Sequence, residues 1–266
     1  MAADPTELLA LAVDIATAAG ELALRRRREG VEVAATKSSI VDVVTAADRD
    51  VEAYIRVRLA QARPGDAFLG EESDASAGSS GLTWVVDPID GTVNYLYDIP
   101  RWAVSIAVVE GDDPATWRAL AGCVVNPSLG EVFAASIGGG ASLGARTISA
   151  SEPATLGTSL VATGFGYDAA IRVAQAEAAV RVIGSVRDLR RAGAAALDLC
   201  DVGAGRLDAY WERGLAPWDF AAGALIAAEA GAVVSADDVR DGRRLVTAAA
   251  PAIAPEFAAL LRRAGV

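Results

Sequence analysis

A short apolar run, Leu82–Val86, leads directly into two closely spaced carboxylates, Asp87 and Asp90. An apolar run of this length, bounded by turn residues, is typical of a buried β-strand, so the sequence predicts a strand that ends at Asp87. In α/β folds, ligands bind beyond the carboxyl ends of strands. Gly91 and Thr92 follow at once, and their backbone N–H groups can hold an anion at the start of a helix. Acids suited to cations, beside amides suited to an anion, indicate a metal-assisted phosphate site.

The composition predicts a folded, soluble chain and narrows its chemistry. The chain has 266 residues, of which 53% are hydrophobic, enough to build one large domain or two small ones. No apolar run approaches the roughly 18 residues of a membrane span, and the first residues lack a signal-peptide pattern. We therefore expect a cytoplasmic protein without a membrane partner. The formal net charge of -11 argues against nucleic acid as a partner.

Two residue types limit the catalytic possibilities further. The chain contains no histidine, which excludes Ser-His-Asp and Cys-His catalysis and histidine-ligated metals. Its two cysteines, Cys123 and Cys200, are far apart in apolar surroundings, so we expect free buried thiols rather than a disulfide or a zinc site. Any hydrolysis must then depend on carboxylates, hydroxyls or metal ions.

Capping patterns locate the helices before the central motif. Asp4 followed by Pro5 is typical of a helix start, and Gly30 would end that helix. Thr45 and Asp48 form the pattern of a capping box, which predicts a second helix. The segment Lys37–Asp42, which lies between these two helices, is predicted to be a polar turn.

Strands and helices alternate through the rest of the chain, which predicts an α/β (α+β) fold. Ser149–Pro153 is the best boundary between an N-terminal half, residues 1–150, and a C-terminal half, residues 151–266. A short strand, Ala67–Leu69, would deliver Glu71 in the first half. A strand at Leu207–Trp211 would deliver Glu212 in the second. We expect the two halves to form one compact catalytic unit.

Four acids share one context, the end of a strand or the first turn of a helix: Glu71, Asp87, Asp90 and Asp219. Mg²⁺ takes oxygen ligands, usually a few carboxylates with water and substrate phosphate, and two ions about 3.5–4 Å apart can clamp a transferring phosphoryl group. Two of these acids also have a simpler interpretation. Asp219 suits the first turn of a helix electrostatically, and Glu71 could be an ordinary loop acid. Asp87 and Asp90 differ, because a plain turn at this position needs only one Asp and the Gly.

Four motifs follow one another along the chain: Lys37–Asp48, Gly70–Ser73, Trp84–Tyr95 and Trp218–Ala232. In content, order and spacing they resemble the inositol monophosphatase family, within the lithium-sensitive, Mg²⁺-dependent phosphatases. The resemblance covers nearly the whole chain. It implies a layered αβαβα sandwich of the inositol monophosphatase and fructose-1,6-bisphosphatase type, a site between the two halves, and a homodimer.

The resemblance also implies a role for individual residues, with two or three Mg²⁺ ions per site. Glu71, Asp87 and the carbonyl of Ile89 would hold one ion. Asp87, Asp90 and Asp219 would hold the second, and a third would rest on Glu71 through water.

The remaining roles concern water and substrate. Thr92, linked to Asp48, would activate the attacking water together with Glu71. Backbone N–H groups of Gly91 and Thr92 would bind phosphate. The residues that would face the inositol hydroxyls are Asp90, Ala195 and Glu212.

The expected activity is therefore Mg²⁺-dependent hydrolysis of a phosphate monoester, with inositol 1-phosphate giving myo-inositol and phosphate. Haloacid-dehalogenase-type phosphatases also carry two acids after a strand, but Pro88 and Ile89 separate the acids here by one residue too many. Fructose 1,6-bisphosphate, histidinol phosphate and adenosine 3′,5′-bisphosphate stay open as substrates. A regulatory, RNA-polymerase-associated role stays open as well.

Overall fold

The computed structural model describes residues 4–31, 33–36, 43–111, 113–114, 116–153 and 155–266. The polar turn predicted for Lys37–Asp42 lies outside the described residues. The α-helices are α1 Pro5–Glu29, α2 Ala46–Ala62, α3 Thr92–Leu96, α4 Ala169–Ile183, α5 Ala195–Gly203, α6 Pro217–Glu229 and α7 Ala254–Ala264. A 3₁₀ turn spans Leu156–Thr158. No helix in the described part of the chain is long and apolar enough to cross a bilayer.

The larger sheet has seven strands, which follow the chain in spatial order. They are β3 Ala67–Gly70, β4 Leu82–Asp90, β5 Ala103–Glu110, β6 Arg118–Asn126, β7 Glu131–Ser136, β8 Gly140–Leu143 and β9 Arg146–Thr147. The first pair is parallel, and every later pair is antiparallel.

A second, five-stranded sheet has the order β11-β10-β12-β14-β13. Its strands are β10 Leu160–Thr163, β11 Asp188–Arg190, β12 Ala209–Arg213, β13 Val233–Arg240 and β14 Arg243–Ala249. Strand β10 pairs in parallel with both neighbours, whereas β14 is antiparallel to β12 and β13. Two short strands, β1 Val33–Thr36 and β2 Val43–Thr45, pair with each other before α2.

The two sheets and the helices alternate as layers. Residues alternate between the faces of a strand, so Trp84 of β4 points towards α1 and α2 while Val85 points towards α5 and α6. The opposite side of α5 and α6 packs on the five-stranded sheet, where Leu199 and Phe220 meet Tyr210. Helices α4 and α7 cover the outer face of that sheet. The layered αβαβα sandwich predicted from the sequence is confirmed.

The first helix forms as its sequence predicts. The Asp4 side chain accepts a 2.9 Å hydrogen bond from the backbone N–H of Thr6, and Gly30 ends the helix with a φ of 113°. One face, carrying Ala12, Ile15 and Ala19, is fully buried against the large sheet. The free, buried state expected for both cysteines is also confirmed.

Strand β4 is longer than predicted. Asp87 still pairs with Ser105 of β5, and Asp90 pairs with Ala103, with a register irregularity between the two pairs. Pro88 lies within this irregularity, where its missing N–H interrupts no ladder hydrogen bond. The prediction that the strand ends at Asp87 was therefore wrong, because the edge of β5 continues the pairing beyond the apolar run.

Similar extensions occur in the second sheet. Glu212 was expected to follow a strand, but it lies within β12, opposite Val246 of β14. Antiparallel pairing with β14 also carries β13 to Arg240, past the apolar residues at its start. The large sheet is drawn from residues 67–147 and the smaller one from residues 160–249. The proposed division between residues 150 and 151 stays a prediction.

Candidate active site

A cavity of about 440 Å³ lies where the ends of β3, β4 and β12 approach the starts of α5 and α6. All but one of the site residues predicted from the sequence line it: Glu71, Asp87, Ile89, Asp90, Gly91, Thr92, Ala195, Glu212 and Asp219. The exception, Asp48, lies behind Thr92 and contacts it. Residues from both predicted halves thus reach one cavity.

The two acids of β4 are buried and partly fixed by backbone groups. Asp87 is 2% exposed and Asp90 is 8% exposed. Oδ1 of Asp87 accepts a 3.0 Å hydrogen bond from the N–H of Ile89. Oδ2 of Asp90 accepts a 2.8 Å hydrogen bond from the N–H of Ala196, at the start of α5. In each carboxylate, that hydrogen bond engages only one oxygen.

Asp219 combines the two interpretations that its sequence context allowed. It lies in the first turn of α6, where its Oδ2 accepts a 2.7 Å hydrogen bond from the N–H of Ala216. This is the helix-capping contact expected for an acid in a first turn. The residue also lines the cavity. The capping contact therefore leaves Asp219 at the cavity with the other acids, so a capping role and a role in cation binding are compatible.

The crowding of these carboxylates disfavours their ionised forms. Burial is the largest cause, and it raises the pKa of Asp90 to about 8. Burial, followed by repulsion from Glu71 and Asp90, raises the pKa of both Asp87 and Asp219 well above the usual range. A nearby cation would reverse this balance, because opposite charge favours the ionised form.

The donor set fits a hard cation such as Mg²⁺, which binds carboxylate and carbonyl oxygens. Within the described ranges, however, no three acidic, cysteine or histidine side chains already converge on one ion position. The chemistry of the donors, together with their raised pKa values, supports a cation site.

Thr92 connects the cavity to a buried acid. Its Oγ1 lies 3.2 Å from Oδ1 of Asp48 and 3.1 Å from the carbonyl oxygen of Ile89, and it can donate to either. Asp48 is 1% exposed, and burial raises its pKa to about 7. Its Oδ2 accepts a 2.8 Å hydrogen bond from the N–H of Thr45 and another from the Thr45 hydroxyl, which confirms the predicted capping box.

Gly91 makes the sharp turn that follows Asp90. Its φ is 88°, a conformation that favours glycine. A Cβ here would lie 3.1 Å from the carbonyl oxygens of Arg101 and Gly193. The missing side chain therefore lets the chain turn tightly between these two carbonyl groups, and both Gly91 and Thr92 line the cavity.

The opposite wall of the cavity carries Glu212. Its Oε2 accepts a 2.7 Å hydrogen bond from the Tyr210 hydroxyl, and burial raises its pKa to about 7. Gly164 lies so close that a Cβ there would overlap this carboxylate. Ala195, in the first turn of α5, lines the same wall and has little side chain to fill it.

The sequence did not single out several residues that the fold brings to this cavity. These are Asp198 of α5 and three arginines, Arg191, Arg213 and Arg243. Asp198 is buried and pairs with Arg101 at 2.6 Å. The basic run Arg187–Arg191 was the one available signal, but its sequence does not show which of its members faces inward.

Comparisons with known proteins agree with this arrangement. The sequence model of the inositol monophosphatase family matches residues 4–264. Inositol-1-monophosphatase SuhB of Mycobacterium tuberculosis is 44% identical over 98% of this chain and 95% of its own length. The solved structure of Mycobacterium tuberculosis SuhB superposes with a TM-score of 0.84 and covers 98% of each chain.

A Pseudomonas aeruginosa relative named Nus factor SuhB is 37% identical over 86% of this chain and 84% of its own length. The family match spans both sheets and every acid that lines the cavity. Members of this family generally depend on a metal ion, as the oxygen-rich cavity suggests. On fold, site and sequence together, the chain belongs to the inositol monophosphatase family of phosphatases.

Proposed function

We propose that this chain is a Mg²⁺-dependent phosphate-monoester hydrolase whose principal substrate is inositol 1-phosphate. The observation that carries the proposal is the shared cavity, lined by Glu71, Asp87 and Asp90 from one sheet and by Glu212 and Asp219 from the other side. Acids for a cation, backbone amides for a phosphate and an acceptor for hydroxyls lie within one space of about 440 Å³.

The acids divide between two ion positions in this proposal. Glu71, Asp87 and the carbonyl of Ile89 would hold one ion, and Asp87, Asp90 and Asp219 would hold another. Mg²⁺, when bound, would supply positive charge that stabilises the transferring phosphoryl group and acidifies water. The raised pKa values of these aspartates support this, because a cation would offset the burial and the repulsion that keep them protonated.

Thr92 and Asp48 would remove a proton from the attacking water. The Thr92 hydroxyl can accept that proton while it donates its own to Oδ1 of Asp48, 3.2 Å away. A raised pKa of about 7 suits Asp48 to this exchange near neutral pH. Glu71 would share in orienting the water. Without histidine in the chain, these oxygen groups are the available bases.

The substrate would lie between Gly91 and β12. Backbone N–H groups of Gly91 and Thr92 would donate to the phosphate. Asp90, Glu212 and the backbone of Ala195 would bind the hydroxyls of the polyol, and Tyr210 holds Glu212 in place for this. A homodimer, lithium sensitivity and a cytoplasmic location accompany the proposal as expectations from the family.

A substrate panel tests the proposal. Phosphate release is measured with Mg²⁺ on inositol 1-phosphate, fructose 1,6-bisphosphate, histidinol phosphate and adenosine 3′,5′-bisphosphate, and is repeated with Li⁺. We expect the highest kcat/KM on inositol 1-phosphate, loss of activity with a chelator, and inhibition by Li⁺. A higher kcat/KM on another member of the panel would reassign the substrate. Detection of a phosphorylated Asp87 would contradict direct attack by water and would indicate an aspartyl-phosphate mechanism.

The Pseudomonas relative named Nus factor SuhB supports a second candidate role, in which the chain binds RNA polymerase as a regulatory factor. Such binding would not need the acids of the cavity. Capture of polymerase by both the wild-type chain and its Asp90→Asn variant would support this role. Capture by neither would remove it.

A further inference from the structure

Glu52 is a buried acid that the proposed reaction does not use. It lies on α2, is 2% exposed, and faces the loop that follows β3. Its Oε2 accepts a 2.8 Å hydrogen bond from the N–H of Glu72, and its other oxygen accepts from the Ser73 hydroxyl. Both donors come immediately after Glu71, so the Glu52 carboxylate binds the chain directly beside Glu71, which lines the cavity.

The loop needs such support because of its place in the sheet. Strand β3 is an edge strand, and its ladder with β4 ends at Gly70. Beyond that point the chain turns and returns to pair with Phe68 through Ser76. Glu71 therefore lies in a loop that this pair closes at its base, and Glu52 binds the loop near its tip.

Close packing shows that the loop is shaped around this carboxylate. A Cβ at Gly70 would lie 2.4 Å from Oε2 of Glu52. Any residue larger than glycine at position 70 would therefore clash with the Glu52 carboxylate. Arg56, one turn further along α2, donates a 2.8 Å hydrogen bond to the Ser73 hydroxyl. Its guanidinium lies 4.2 Å from the centre of the Phe68 ring. Loop, strand and helix are thereby joined around Glu52.

We propose that Glu52 is a positioning residue, which fixes the loop of Glu71 so that this side chain is presented to a divalent cation in the cavity. The inference rests on the proposed function. It assigns Glu52 no contact with substrate or ion. Its effect passes through the backbone of Glu72 and the hydroxyl of Ser73. Groups that orient the ligands of a metal site typically change its affinity by about 10–100-fold when they are altered.

A matched pair of variants separates this role from simple stabilisation. Asp208 precedes β12 and accepts the same two kinds of donor, the N–H of Leu160 at 2.6 Å and the Ser151 hydroxyl at 2.6 Å. It does not line the cavity. Glu52→Gln and Asp208→Asn each replace a carboxylate by an amide of the same size. The amide oxygen can still accept from the backbone N–H, but the serine hydroxyl loses its charged acceptor, which weakens a charge-assisted hydrogen bond. Both variants should therefore lose stability.

The readouts are Mn²⁺ affinity, measured by electron paramagnetic resonance without substrate, and kcat and KM for inositol 1-phosphate with Mg²⁺. We expect Glu52→Gln to weaken Mn²⁺ binding about tenfold and to lower kcat, with a smaller change in KM. Asp208→Asn should leave both within about twofold of wild type. Urea unfolding of the two variants shows whether they lose comparable stability.

Wild-type Mn²⁺ affinity in Glu52→Gln would overturn the inference, as would an equal loss of affinity in Asp208→Asn. If Glu52→Gln does not fold, Ser73→Ala removes one of the two donors and should still weaken Mn²⁺ binding severalfold. Unchanged binding in that variant would also count against the role. If the wild-type chain binds Mn²⁺ but hydrolyses no phosphate monoester, the proposed function fails, whereas the Mn²⁺ comparison still decides the role of Glu52.

Discussion

The backbone N–H of Ala196 donates a 2.8 Å hydrogen bond to Oδ2 of Asp90, across 106 residues of sequence. Asp90 ends β4 in the seven-stranded sheet, and Ala196 lies in the first turn of α5, between the two sheets. This contact fixes one oxygen of the acid and leaves the other for a different partner. It also makes the geometry of the cavity depend on how the helices pack against the large sheet.

Replacement of Asp90 by Asn tests whether its negative charge is needed. The amide oxygen of Asn can still accept from Ala196, so the variant should remain folded. We expect Mg²⁺-dependent hydrolysis to fall at least about 100-fold, because charge stabilisation of the transition state is lost. Phosphate release and circular dichroism measure the two effects. Wild-type turnover in a folded variant would contradict the assignment of Asp90 to the cation site.

Glu212 should affect substrate choice more than chemistry. Hydrogen bonds to a charged group contribute about 1.5–3 kcal/mol, so Glu212→Gln should lower kcat/KM on inositol 1-phosphate by roughly 10–100-fold, chiefly through KM. Hydrolysis of p-nitrophenyl phosphate, which has no polyol, should change little. Glu177→Gln makes the same charge change on the exposed side of α4 and is the control. Equal losses on both substrates would assign Glu212 to the chemistry instead.

Much of this site could be predicted because its residues form local patterns. The apolar run before Asp87, the capping box of Thr45 and the first-turn position of Asp219 each depend on neighbours within a few residues. These patterns predicted which acids stand at strand ends and helix starts. The four acids Glu71, Asp87, Asp90 and Asp219 are therefore recognisable from sequence motifs, even though distant parts of the chain must fold together to bring them into one cavity.

Other features depend on partners that are distant in sequence. Strand β4 continues to Asp90 because β5 supplies a pairing edge, and β13 extends because β14 does. The pairing of Arg101 with Asp198 spans 97 residues and leaves no periodic signal. In the sequence, Glu52 is only a single acid on an apolar face of α2, and no local pattern indicates its partners. Such contacts follow from the packing of whole layers, which a local pattern does not encode.

Arg101 should contribute strongly to stability because it joins the motif region to α5. Its guanidinium pairs with Asp198 at 2.6 Å and with Asp201 at 2.8 Å. Arg101→Met would leave a buried carboxylate without its partner, which typically costs about 3–5 kcal/mol. The pair of Arg118 with Glu110 is 61% and 57% exposed, so Arg118→Met should cost less than about 1 kcal/mol. Urea unfolding measures both free energies, and similar losses would refute this difference.

The raised pKa values also predict how pH and Mg²⁺ act together on stability. Asp48, Glu212 and Asp90 have pKa values of about 7, 7 and 8 in the folded chain, against ordinary values near 4. Between these limits the folded chain binds protons that the unfolded chain has released. The metal-free protein should therefore lose stability as pH rises from about 4 through 8.

Mg²⁺ should offset that loss, because it would replace protons on the crowded acids. At saturating Mg²⁺ and pH 8.5 we expect Tm to rise by roughly 5–10 °C, and by less than half as much at pH 6, where protons compete with the ion. Asp219→Asn removes one acid and should reduce the rise at pH 8.5. Differential scanning calorimetry with and without Mg²⁺ measures these shifts. An equal or larger shift at pH 6 would contradict competition between protons and the cation in this cavity.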